Sequence, residues 1–195
     1  MASAFESVMQ QVGGANLSRI SQQIGADEAT TQTAVQAALP MLLGGLARNS
    51  ARPEGAASLS SALNDHVGGL DNVSSLLGDP DSGPGAGILG HIFGNRQPTV
   101  EGGVAQATGL NQGQVGKLLK ILAPIVMAVI ARKVTSRADA PEQDGSLGNV
   151  LERETHDARQ KAPGGLGGLF DMLDRDRDGN PLNDLGRLGG LFGNR

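Results

Sequence analysis

From residue 35 the apolar side chains fall at Val35, Ala38, Leu39, Leu42, Leu43 and Leu46, one stripe of an α-helix at steps of three and four. A later segment repeats this design. Residues 104–132 align with residues 20–48 without a gap. The alignment pairs Gln22 with Gln106, Gly25 with Gly109, Pro40 with Pro124, Ala47 with Ala131 and Arg48 with Arg132. Asp27 falls on Asn111, and Val35, Leu39, Leu42, Leu43 and Leu46 fall on Leu119, Ala123, Val126, Met127 and Ile130. Strand-type alternation is nearly missing. The pattern predicts an all-α, multihelical domain with an internal duplication of a short-helix/long-helix unit, followed by a Gly-rich tail.

The spacing predicts short helices over residues 5–12 and 17–24, the first ended by Gly13-Gly14 and the second by Gly25, where a helix end favours a left-handed residue. Asp27 caps the third. Short helices over 59–66 and 70–77 precede a break at 78–87 (GDPDSGPGAG), after which 88–93 and 100–108 lead into a long helix from Asn111 to about Thr135. In that helix a second stripe, Leu118, Ile121, Ile125 and Val129, joins the first, so it should be apolar on most of its circumference and central to the fold. The matching positions in the first copy are Ala34, Ala37, Met41 and Gly45. Small residues there fit either close approach by a neighbouring helix or a less buried face, and we expect that face to receive a partner. Pro40 and Pro124, at equivalent places, imply either a kink in each helix or a break and restart.

Composition narrows the function classes. The chain has 195 residues, four Phe, no Trp, no Tyr and no Cys. Aromatic anchors for base stacking and affinity hot spots are therefore scarce, and thiolate metal sites and cysteine nucleophiles are excluded. Without a basic patch before an apolar core at the N-terminus, a cytoplasmic location is expected. Residues 118–131 are nearly all apolar, but Lys120 interrupts the run and Arg132-Lys133 closes it, which favours a buried helix over a membrane span. A net charge of -4 lacks the footprint of a general nucleic-acid binder.

Two motifs suggest chemistry. The segment SQQIGADEATTQTAV has the form of a helix-turn-helix, with Thr30, Thr31, Gln32 and Thr33 on the second helix able to reach base edges. Asp27 and Glu28 open that helix and only Arg19 and Arg48 flank it, so scaffolding is the favoured reading and a helix-turn-helix DNA-binding protein the alternative. In the tail, Asp174, Asp176, Asp178, Gly179 and Asn180 match the opening of a calcium loop, whose alternate side chains fold inward around one hard cation. The match weakens at its end. Leu185 stands where a bidentate acid belongs, Asp184 fits only in a shortened loop, and Pro181 removes a bridging amide. Arg175 and Arg177 also allow a self-neutralised turn that needs no metal.

Near-copies of one phrase flank the aspartates, Gly165-Leu166-Gly167-Gly168-Leu169-Phe170 and Arg187-Leu188-Gly189-Gly190-Leu191-Phe192. They could clamp together when a cation neutralises the loop, dock on another subunit or on a membrane surface, or form a plain low-complexity tail. His66, His91 and His156 stand in unrelated contexts, no nucleophile elbow surrounds Ser58, Ser60 and Ser61, and the Gly-rich stretches lack a phosphate-loop lysine. No catalysis is expected.

The phrases GILGHIFG (87–94), VAQATGLNQGQVGKLLKILAPIVMAVIARK (104–133) and the tail LFDMLDRDRDGNPLNDLGRL together resemble the YidB-like family of small bacterial proteins of uncharacterised function. The resemblance implies a multihelical all-α domain with an internal duplication and carries over no catalytic residues. The expected organisation is a duplicated helical domain over 1–135, a linker with a short charged helix over 136–163, and the Gly-rich aspartate tail over 164–195. Protein interaction or self-assembly, modulated by calcium, is the expected mode of action.

Overall fold

A computed structural model describes residues 2–78, 80–138 and 147–161. Their regular structure is entirely helical: α1 (Ala4–Val12), α2 (Ala15–Ile24), α3 (Glu28–Ser50), α4 (Pro53–Asn64), α5 (Val73–Leu76), α6 (Gly85–Phe93), α7 (Gln97–Thr108), α8 (Gln112–Ala138) and α9 (Leu147–Lys161). Two 3-10 turns, Gly69–Asn72 and Gly94–Arg96, complete the path. The all-α class is as expected.

Local chemistry sets the boundaries. At α1 the Ser3 hydroxyl accepts from the Glu6 N–H and the Glu6 carboxylate accepts from the Ser3 N–H, a reciprocal capping box. Gly25 and Gly109 close α2 and α7 in the left-handed region, with φ of 71° and 76°. Asp27 accepts from the Thr30 N–H at the start of α3, and Asn111 accepts from the Gln114 N–H at the start of α8. The two aligned segments thus use the same device at the same place. Between them, α4 starts at Pro53, earlier than expected, because a proline at the first helical position is already shaped for a helix and gives up only an amide that has no helical partner.

Pro40 and Pro124 each lie inside an unbroken helix, so the break-and-restart alternative is set aside. α8 is the hub. It packs against α1, α2, α3, α4, α6 and α7, and residues 121–131 are all buried. By length and composition this helix could cross a membrane, and it is longer than its apolar run suggests; yet 78% of the apolar window is buried inside the fold. Its two apolar stripes are satisfied by the other helices.

On α3 the small residues mark close approach by a neighbouring helix, the first of the two readings, and not a surface open to a partner. Ala34, Ala37, Met41 and Gly45 are buried, so the face expected to receive a partner is already covered. A Cβ on Gly45 would stand 2.5 Å from Ile92 Cγ2 and 2.9 Å from Phe93 Cε1, which shows how tightly α6 is pressed there. The charged helix expected within a linker is α9, and it too belongs to the packed body. Val150, Leu151 and Ala158 are buried, and the most extensive contact of α9 is with α3.

Candidate functional site

The two glycine-capped turns meet at one end of the molecule, where the Gln114 side-chain amide donates to the Gly25 carbonyl at 2.8 Å. Of the side chains expected to read bases, Gln32 is exposed and the three threonines are otherwise engaged. The Thr30 hydroxyl donates to the Asp27 carboxylate at 2.7 Å, Thr33 donates to the Ala29 carbonyl, and Thr31 is fully buried with its hydroxyl on the Asp27 carbonyl. The Thr30 amide and hydroxyl hold the Asp27 carboxyl below the usual carboxylate range. A carboxylate that keeps its charge to lower pH than usual therefore sits at the front of α3, with exposed Glu28 beside it. Such a surface repels phosphate, and Thr31 is corrected from base reader to helix-packing residue.

A polar cluster joins the opposite ends of the described chain. Lys133 Nζ lies 2.9 Å from Glu154 Oε1 and donates to the Ala2 carbonyl at 2.6 Å, while the other Glu154 oxygen accepts from the Ala4 N–H. Both charged side chains are almost out of water, with relative exposures of 13% and 6%. A buried pair of this kind is sustained by its hydrogen bonds, because either charge left alone in the interior is heavily penalised. At the rim, Lys161 bridges Glu6 at 2.8 Å and Asp157 at 3.0 Å. The Lys161 ammonium lowers the Glu6 carboxyl from its ordinary range, and Glu6 followed by Asp157 raises Lys161.

Sequence reasoning missed this cluster, although a signal was present. Val150, Leu151, Glu154, Thr155 and Ala158 fall on one helical stripe, so a carboxylate was already marked as facing inward.

Elsewhere the surface offers small recesses. One of about 130 Å³ is lined by Leu46, Leu59, Ile88, Ile92 and Met127, with Asn49, Ser58 and His91 among its polar residues. That is below the roughly 300 Å³ at which ligand pockets begin. A second, of about 240 Å³, runs between Leu76, Gly78, Pro80 and Pro84 on one side and α8 on the other, beside the Lys120–Asp81 ion pair. Near the end of α3, burial and the repulsion of Arg96 and Arg52 lower the Arg48 guanidinium from its ordinary range. His66 rests on the Ala62 carbonyl and His156 pairs with Gln160. Among the described residues, no three His, Cys, Asp or Glu side chains gather as a metal site. The expected ligands Asp174, Asp176, Asp178, Asn180 and Asp184 lie outside the described residues.

Residues 6–133, which run from the capping box of α1 to the nearly buried lysine of the polar cluster, match the bacterial family described as "Bacterial protein of unknown function (DUF937)". The chain belongs to this family. YidB is a member of it, as the resemblance implied. The family region thus spans α1 to α7 and most of α8, and α9 lies beyond it. Neither a curated protein nor a solved structure matches the chain.

Proposed function

We propose that this member of the family is a non-catalytic helical protein that acts through protein–protein interaction, including self-assembly, with its glycine-rich C-terminal segment as the adhesive element and calcium as its modulator. One observation carries the reading. The Gly-Leu-Phe phrase occurs on both sides of the aspartate series, whereas Val67 is the large apolar side chain left exposed among the described residues. Apolar association has little to draw on in the helical body and six large apolar side chains to draw on in the phrases: Leu166, Leu169, Phe170, Leu188, Leu191 and Phe192.

Asp174, Asp176, Asp178, Asn180 and Asp184 would supply oxygen ligands to a hard cation, and neutralising those carboxylates would let the flanking phrases approach. A reducing, cytoplasmic setting suits a chain without cysteine. Light scattering of the full chain tests this. Mass should rise with concentration and with added calcium, and both responses should be lost when Leu169, Phe170, Leu191 and Phe192 are changed to Ser. A strict monomer at high concentration, indifferent to calcium, overturns it.

A further inference from the structure

We infer that the face of the fold beneath α9 is a helix-docking groove whose occupant can be the α9 of a second copy of this chain as well as its own. The inference rests on self-association as the mode of action, but not on the tail.

The docking of α9 is not local. It follows α8 in sequence, with residues 139–146 between, yet its main contacts are with α3 and then α1, while it touches α8 far less. Thr155 Cγ2 lies 3.8 Å from where a Cβ on Gly44 would stand, so α9 comes close to the backbone of a helix about a hundred positions earlier in sequence. A helix bound in this way makes the same contacts whichever copy supplies it, which is the condition for exchange between protomers.

The groove also has a charge requirement. Lys133 sits at its edge, nearly buried and anchored on the Ala2 carbonyl, and the docked helix must present a carboxylate to it. Glu154 does so from the stripe that carries Val150, Leu151 and Ala158. A helix with apolar residues at those positions and an acid among them satisfies the groove. One with a basic residue there leaves two like charges facing each other out of water. α9 lies outside the family region while Lys133 is the last residue within it, so the groove and its occupant are separable parts of the sequence.

Charge reversal tests the exchange. A full chain carrying Lys133→Glu and another carrying Glu154→Lys each place like charges together when α9 docks on its own copy. When two different chains exchange α9, the Lys133 of one meets the Glu154 of the other with the native partners, the Ala2 carbonyl and the Ala4 N–H, in place. An equimolar mixture should therefore run at twice the mass of either variant alone, and should do so even when both chains also carry the Ser substitutions in the tail phrases. A mixture that stays at the mass of the separate variants overturns the inference and leaves the tail reading standing.

Should either variant fail to fold, the absence of native cysteine supplies a second measurement. Differently tagged chains carrying Gly44→Cys and Thr155→Cys, incubated together under oxidising conditions, should yield a mixed disulfide of twice 19.9 kDa. Its absence overturns exchange in the otherwise native protein.

Discussion

α3 and α8 carry a proline at the same place and are capped in the same way at the start, but they meet their shared neighbour α6 in opposite fashion. On α3 the long helix supplies the small residue: Gly45 leaves room for Ile92 and Phe93 at the far end of α6. On α8 the long helix supplies the bulk and α6 supplies the glycine. A Cβ on Gly85 would overlap the Lys120 carbonyl, and that carbonyl is the one Pro124 leaves without its helical donor. α6 is thus fitted at one end to a hole and at the other to a backbone group freed by a proline. Two helices of similar sequence pattern can therefore occupy unequal roles, because close packing needs bulk on one side of a contact and its absence on the other.

Three measurements test this contrast. The largest effect is expected from Gly85→Ala, because the obstructing atoms are backbone and cannot rotate away. Overpacking should destabilise the fold near the top of the range of about 1–3 kcal/mol, read as a fall in the denaturant midpoint at constant slope. A midpoint unchanged from wild type would remove Gly85 from its place on α8. Gly45→Ala should act in the same direction but more weakly, about 1 kcal/mol, because Ile92 and Phe93 are side chains with room to shift. Equal losses at the two glycines would contradict the contrast.

The smallest effect concerns the caps, of which only the α3 cap ionises. The Asp27 carboxyl is held below its ordinary value, so its contribution is fully present above the unfolded-state pKa near 3.8 and is lost as the pH falls through the folded-state value. Stability difference curves between wild type and Asp27→Asn should therefore move against the wild type in acid. The α8 cap at Asn111 should show no such trend in an Asn111→Ser comparison, and a matching trend there would count against the assignment.

Much of the fold was legible because its signals are local. The glycine ends at Gly25 and Gly109, the caps at Asp27 and Asn111, and the stripes on α3 and α8 each depend on residues within a turn or two. The docking of α9 was not legible, because Gly44 and Thr155 are distant in sequence and neither advertises the other. Smallness at Ala34, Ala37 and Gly45 was equally ambiguous, since an alanine under a neighbouring helix and an alanine in solvent are the same letter. The candidate site divides in the same way. The inward placement of Glu154 could be read from its stripe, but Lys133 closes an otherwise apolar helix and reads as a solvent-facing end until the partner helix is in place.

The central position of α8 also has a consequence for the order in which the chain is made. It is the helix against which α1, α2, α3, α4, α6 and α7 all rest, and it is synthesised after every one of them. Until it has left the ribosome, those helices have only one another, chiefly α3, to pack against, and a nascent chain paused before residue 112 lacks the centre of its core. For this protein, completion of the core waits on an element that, by length and hydropathy alone, a membrane-insertion pathway could also accept.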